Sequence, residues 1–189
     1  MNTTTVVDPR RPDLGGNLRH GDLHTFSPRL WRYLVERFAV RSVLDVGCGE
    51  GHAVRFFQTL GVIAHGIDGL RVNVERAVTP IALHDITSGP YFMPVDLTWS
   101  CEVAEHIVED KVDHYLDILC NGRIVAMTHG LPGQGGHHHV NLQPREYWIE
   151  KMSQRGYKLS PDNDVFIEVS KREETFNYFR KSGLVFVGK

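Results

Sequence analysis

Short apolar runs, each about one strand long, alternate along the chain with segments whose apolar positions recur every three or four residues. The strand-like runs cover residues 43–46, 62–68, 81–86, 95–103, 123–128, 157–159 and 184–187. Between them, Leu30, Trp31, Leu34, Val35 and Phe38 mark the buried face of a helix that starts with Ser27 as N-cap and Pro28 at the first helical position. Val54, Phe57 and Leu60 mark a second helix, stopped at Gly61, and a third over residues 72–78 ends before Pro80. Val112, Tyr115, Leu116 and Leu119 mark a fourth, ending at Asn121-Gly122, and Pro144 opens a fifth that runs through Tyr147, Trp148 and Met152 to Gly156. A further helix is expected within residues 165–181. Strands alternating with helices predict an α/β fold, a doubly wound sheet with helices on both faces. Residues 27–189 read as one domain without internal repeats, and residues 1–26, rich in Thr, Pro, Gly and Arg, as an N-terminal arm or lid.

The sharpest local signal is Val43-Leu44-Asp45-Val46-Gly47-Cys48-Gly49-Glu50-Gly51, a buried strand running through a glycine turn into a helix. Three glycines let the backbone turn tightly and approach a ligand closely, and the helix that follows aims free N–H groups at the turn. Such a turn at the end of a parallel strand suits a nucleotide-like cofactor. The dinucleotide fingerprint G-x-G-x-x-G fails, because its third glycine falls on His52, and no G-K-[ST] follows as a P-loop demands. The pattern present is D-x-G-x-G-x-G. By itself it also fits an ordinary tight strand–helix connection. Asp68, ending the second run, suits a carboxylate accepting hydrogen bonds from ribose hydroxyls, as NAD sites also do. Asp85 ends the third run and equally suits a helix cap or a solvated turn.

Asp45 with its glycines, then Asp68, then Asp85-Ile86, then Ser100 to Glu102, occur in an order that resembles the Rossmann-like (class I) methyltransferases that use S-adenosylmethionine, over roughly residues 27–189. The resemblance implies a seven-stranded sheet, mostly parallel with an antiparallel last strand. It implies that Asp45, Gly47, Cys48, Gly49, Gly51 and Ser100 surround the cofactor, that Asp68 takes the ribose, and that Asp85 and Ile86 meet the adenine. It also places the acceptor mouth over the C-terminal strand ends.

Glu102, Glu105 and His106 form the spacing E-x-x-E-H, which on one helical turn puts two carboxylates and an imidazole on one face. This resembles two branches of the family, the ubiquinone-pathway O-methyltransferases and the enzymes that methylate the terminal ribose 2′-hydroxyl of small RNAs. The resemblance implies a divalent cation held by Glu102, Glu105 and His106, with a histidine after the fifth strand completing the set. His139 of the run His137-His138-His139 fits best, with His129 and His138 open as alternatives. Mg²⁺ or Mn²⁺ suits such donors, and so do Fe and Zn. A cation at that place lowers the pKa of an acceptor hydroxyl. Without a cation, Glu102 serves as a polar pocket residue and His106 as a helix-start residue or general base. His106, Glu102 and His139 are the expected catalytic residues. His20 and His24 of the arm either reach the cofactor or face solvent.

A chain of 189 residues buries a proper core in one domain. Its net charge of -2 gives no general pull toward nucleic acid or anionic membrane. Cys48, Cys101 and Cys120 are odd in number and read as free thiols of a reducing compartment. No apolar run reaches membrane-spanning length, and no signal-peptide core is present at the N-terminus. A cytoplasmic protein is expected. The reading is an S-adenosylmethionine-dependent O-methyltransferase acting on a small-molecule or sugar hydroxyl, without nucleic-acid or membrane partners. The alternatives are a non-catalytic S-adenosylmethionine-binding regulatory or partner subunit and an RNA ribose 2′-O-methyltransferase. The identity of the acceptor and the oligomeric state are not legible in the sequence.

Overall fold

A computed structural model describes residues 5–14 and 16–188. Seven strands form one sheet: β1 (Ser42–Val46), β2 (Ile63–Asp68), β3 (Ala82–Leu83), β4 (Val95–Ser100), β5 (Gly122–Met127), β6 (Lys158–Leu159) and β7 (Leu184–Val187). Their order is β3-β2-β1-β4-β5-β7-β6. The pairs from β3 through β5 are parallel, and β7 runs antiparallel to both β5 and β6. This is the doubly wound sheet that the alternating pattern predicts.

The helices are α1 (Pro28–Phe38), α2 (His52–Thr59), α3 (Arg71–Arg76), α4 (Val112–Leu119), α5 (Arg145–Gln154), α6 (Asn163–Ser170) and α7 (Phe179–Ser182). Alternation along each strand sends successive side chains to opposite layers. Leu44, Val46, Val125 and Met127 join Tyr115, Leu116, Trp148 and Met152 in one core. Val43, Leu97, Ile124 and Ala126 join Trp31, Leu34, Phe57, Phe166 and Phe179 in the other.

Several boundaries differ from the sequence reading. The third strand shrinks to Ala82–Leu83, which leaves Asp85 and Ile86 in the turn beyond it. The fourth ends at Ser100, because Glu102 adopts a left-handed φ of 57° that no strand accommodates. The helix expected within residues 165–181 divides into α6 and α7.

Ser27 occupies the N-cap of α1 but makes no side-chain cap bond. The carboxylate of Glu173 does that work from across the fold, accepting from Arg29 N at 2.8 Å and Leu30 N at 3.0 Å. A carboxylate there satisfies orphan donors and favours the positive end of the helix. Glu173→Ala is expected to lower stability by about 1 kcal/mol, while Ser27→Ala changes it little. Urea unfolding of the two variants measures the contrast, and equal losses contradict it.

Candidate active site

The C-terminal ends of β1, β2 and β4 open into a cavity of about 650 Å³. On its floor, Gly47 (φ 74°) and Gly49 (φ 55°) turn the backbone out of β1. A Cβ on Gly47 would sit 2.5 Å from Val103 Cγ2, so only glycine fits there. Gly49 faces open space apart from Asn17 Nδ2, 3.9 Å from where a Cβ would stand. Gly51 (φ 79°) caps α2 and faces Ile81 and Thr79 rather than the cavity; its part is to start the helix.

Asp68 ends β2 with both carboxylate oxygens engaged. Oδ2 accepts from Gly49 N at 2.8 Å, and Oδ1 accepts from Leu70 N at 2.8 Å and Asn73 Nδ2 at 3.0 Å. Burial pushes its carboxyl up to about 6, against these three bonds. It keeps lone pairs for further donors, since a carboxylate has about four acceptor sites. Asp45, 4% exposed, lines the cavity and has no hydrogen-bond donor among the described residues. Burial, then the neighbouring Asp68 charge, push it up to about 8. An ionised carboxylate there calls for a cationic ligand.

Asp85 and Ile86 also line the cavity. Partial burial opposes ionisation of Asp85, but bonds from Arg11 and Thr87 outweigh it and hold the carboxyl below the usual range. Arg11 Nη2 reaches Asp85 Oδ2 at 2.7 Å, while Thr87 N and Oγ1 donate to Oδ1. Ser100 lies elsewhere. It is fully buried, donates to the Val46 carbonyl at 2.9 Å and accepts from Tyr115 at 3.0 Å, beneath the cavity rather than on its wall. Its position in the motif order suggested a ligand contact; its burial makes it a strut under β1 and β4.

On the far side of Gly47 stands the acidic and histidine cluster. The expected single helical face does not form. Glu102 lies outside the short 3₁₀ turn Ala104–His106, with its left-handed backbone tied by Thr128. Thr128 Oγ1 accepts from Glu102 N at 2.8 Å and donates to Glu102 Oε1 at 3.0 Å. A non-glycine residue held at positive φ costs on the order of 1–3 kcal/mol, and such strain gathers at working sites. Thr128 was missed in the sequence, although its place just past β5 is where such a residue is expected.

Glu105, His106 and His139 do converge, with one donor atom of each within 4.8 Å of the others. The backbone explains why. The Glu105 carbonyl accepts from Val140 N at 2.9 Å and Asn141 N at 3.1 Å, pinning the histidine loop against this turn. The His106 and His139 rings meet edge to face at 5.1 Å. Both Glu105 oxygens, His106 Nδ1 and His139 Nδ1 are buried without a hydrogen-bond partner among the described residues. Glu105 is fully buried, and burial raises its carboxyl. Burial and the Glu105 charge push Glu102 up to about 9. Burial, then the nearby histidines, lower His106 to about 4, so its imidazole is neutral in neutral solution.

The other histidines separate cleanly. His129 is 2% exposed, shares a hydrogen bond with the Gly130 carbonyl and packs near Trp148, away from the cavity. His138 is likewise absent from the cavity wall, whereas His20, His137 and His139 are on it. His24 faces outward to the Phe176 carbonyl.

The described part of the arm crosses the cavity mouth. Asn17 and Asn73 exchange amide hydrogen bonds at 3.1 and 3.2 Å, His20 N donates to Glu50 Oε2, and His137 Nε2 meets the Pro12 carbonyl. Arg11 and Asn17 carried no signal in the sequence, since nothing local links them to Asp85 or Asn73. The three cysteines are free, and among the described residues no helix is long and apolar enough to cross a membrane.

Strand order, antiparallel β7 and the glycine turn define the class: the Rossmann-like fold of the S-adenosylmethionine-dependent methyltransferases. Solved structures agree. A sugar N-methyltransferase, KedS8, from Streptoalloteichus sp. superposes with a TM-score of 0.63 at 14% identity, covering 86% of this chain and 87% of its own. A TehB-like SAM-dependent methyltransferase from Corynebacterium glutamicum gives 0.62 at 18% identity, with 89% and 90% covered. The methyltransferase domain of bacterial CtHen1-C gives 0.58 at 17% identity, with 86% and 97% covered. No protein-family model matches the chain, and no curated protein sequence does.

Proposed function

We propose that the protein is an S-adenosylmethionine-dependent methyltransferase that methylates a hydroxyl of a small molecule or sugar. One observation carries this reading: a single cavity joins the glycine turn, Asp45 and Asp68 to Glu102, His106 and His139. The residues suit the donor. Gly47 lets the backbone turn tightly against Val103, Gly49 leaves open the space a backbone-hugging ligand needs, Asp45 offers an unpaired carboxylate to a cation, and Asp68 retains acceptor sites for ribose hydroxyls. S-adenosylmethionine would supply a methyl carbon whose bond to sulfur breaks, leaving its electron pair on a neutral thioether, as the bond to the acceptor oxygen forms.

The chain's own task is chiefly alignment, since holding two partners in line is worth about 7–11 kcal/mol. The hydroxyl proton has a place to go, because the neutral His106 imidazole lies on the cavity wall beside His139. A carboxyl at Glu102 that keeps its proton donates a hydrogen bond instead of accepting one. The donor set also fits a divalent cation such as Mg²⁺ or Mn²⁺, which Glu105, His106 and His139 would hold, with Glu102 beside them, and which would acidify the hydroxyl. The described part of the arm is read as a lid, with Arg11 on Asp85 as its grip. Three free thiols support a reducing, cytoplasmic location.

Asp45 gives the reading a pH signature. Its carboxyl is protonated at pH 7 when the cavity is empty, and a cationic ligand favours the ionised form. Binding therefore releases a proton, and affinity rises with pH toward about 8 before levelling, by up to about ten-fold per unit. Calorimetry of S-adenosylmethionine in buffers of different ionisation enthalpy measures this release. Asp45→Asn is expected to abolish the pH dependence along with most of the affinity. The same linkage favours the variant when no ligand is bound. The unfolded carboxyl ionises from about 3.8 and the folded one only near 8, so wild-type stability falls between these values, and Asp45→Asn has the higher Tm at pH 8.

Transfer of labelled methyl from S-adenosylmethionine to a metabolite extract, with and without added Mg²⁺ or Mn²⁺, tests the function itself. Binding without labelled product in repeated trials favours a non-catalytic partner subunit. Failure to bind the donor, with uptake of a nicotinamide or flavin, overturns the reading.

A further inference from the structure

The cavity continues past the residues that the donor needs. Asp68, Asp85 and Ile86 lie at β2 and beyond β3, on one side of β1. On the other side, Phe26, Trp31, Trp99 and Tyr178 form an aromatic wall contributed by the arm, α1, β4 and the residue before α7. The wall is rigidly braced. Phe26 meets Trp31 edge-on at 5.0 Å, Trp31 meets Trp99 at 5.7 Å and 90°, and Trp99 stacks on Phe179 at 5.5 Å.

Three buried polar atoms in this part of the cavity lack hydrogen-bond partners among the described residues, Trp31 Nε1, Glu50 Oε1 and His52 Nε2. Glu50 is 4% exposed, and its other oxygen accepts from His20 N and lies 3.9 Å from His52 Nε2. Leaving such groups unpaired is costly, so Trp31 Nε1 and Glu50 Oε1 point to a ligand atom. The charge balance is one-sided: Asp22, Glu50 and Glu102 line this region, and no described Lys or Arg lines any part of the cavity. In this region an acceptor's phosphate or carboxylate would meet the carboxylates of Asp22, Glu50 and Glu102 and no Lys or Arg side chain. A protonated amine would meet carboxylates and the faces of aromatic rings, both attractive to it.

We propose that the aromatic-walled end of the cavity is the acceptor subsite. It takes a flat, apolar molecule bearing a protonated amine, and it excludes acceptors that carry phosphate or carboxylate. The amine is the handle held near Glu50 and Asp22, and the hydroxyl to be methylated faces Glu102 and His106. The assignment rests on the donor lying along Gly47 and Asp68, as proposed above. It turns the acceptor away from RNA, whose phosphates find no partner within the cavity.

The test is calorimetric titration of the full chain saturated with S-adenosylhomocysteine. The probes are two matched series: tryptamine, tryptophol and indole-3-acetate, and 2-phenylethylamine, 2-phenylethanol and phenylacetate. In at least one series the amine is expected to bind at least ten-fold tighter than the carboxylate, with the alcohol between. Glu50→Gln and the conservative Trp31→Phe are each expected to weaken the amine at least five-fold, and Glu50→Gln also to shrink the gap between amine and alcohol. The proposal is overturned if the carboxylates bind as tightly as the amines. Absence of binding by every probe overturns it too, as does unchanged amine affinity in both variants. If S-adenosylhomocysteine itself does not bind, the donor reading falls separately, and the same probe titrations without it decide the subsite by the same criteria.

Discussion

Gly47→Val is expected to abolish S-adenosylmethionine binding, with affinity reduced at least 100-fold in calorimetry, while the far-UV circular dichroism of the protein stays native. Two physical terms add. The position has φ 74°, where a β-branched residue is a steric outlier, at a cost of about 1–2 kcal/mol from backbone sterics alone. The first carbon of any side chain would also come within 2.5 Å of Val103 Cγ2. Val103 belongs to the core below the site, and it directly follows Glu102. Relief of the overlap therefore moves either the glycine turn or the segment that carries Glu102. Pairing Gly47→Ala with Val103→Ala separates the terms. The double variant opens the space but keeps the unfavourable φ, so it is expected to recover part of the affinity. No recovery places the whole loss on the backbone, and a full-affinity Gly47→Val removes the glycine turn from the donor site.

His106→Ala is expected to slow methyl transfer by 10²–10⁴-fold, the range of a general acid–base group, while donor affinity changes less than three-fold. The imidazole is neutral at neutral pH, it faces the cavity, and its Nδ1 has no described partner. Its loss removes a proton acceptor, and one of three converging donors if a cation binds there. It leaves Gly47, Asp45 and Asp68 untouched. A split in which binding survives and turnover falls is thus the signature of acceptor activation. Equal losses in Gly47→Val and His106→Ala contradict the division of labour along the cavity.

Much of the site was legible because its parts obey local rules. A D-x-G-x-G-x-G run after a short apolar stretch forces a tight turn into a helix, whatever the rest of the chain does. The acid ending the second run had to lie beside it once β1 and β2 paired in parallel, as Asp45 and Gly66 now do. His139 stood out as the residue completing the set of Glu102, Glu105 and His106 only through resemblance; the hydrogen bonds from Val140 and Asn141 to the Glu105 carbonyl give a physical reason for its nearness to Glu105 and His106. Ser100 misled because strand alternation decides its direction, and it turns into the core toward Tyr115.

The chain's own pattern of apolar spacing, glycines and strand-end acids determined the doubly wound class, the glycine turn after β1 and the neighbourhood of the acidic cluster. Each of these depends on residues a few positions apart, where backbone geometry leaves few choices. Tertiary structure alone decided that Glu173 caps α1, that Arg11 grips Asp85, that Thr128 holds the strained Glu102, and that Phe26, Trp31, Trp99 and Tyr178 share one wall. Those contacts join segments far apart in the chain, and long-range packing, rather than local propensity, brings such segments together.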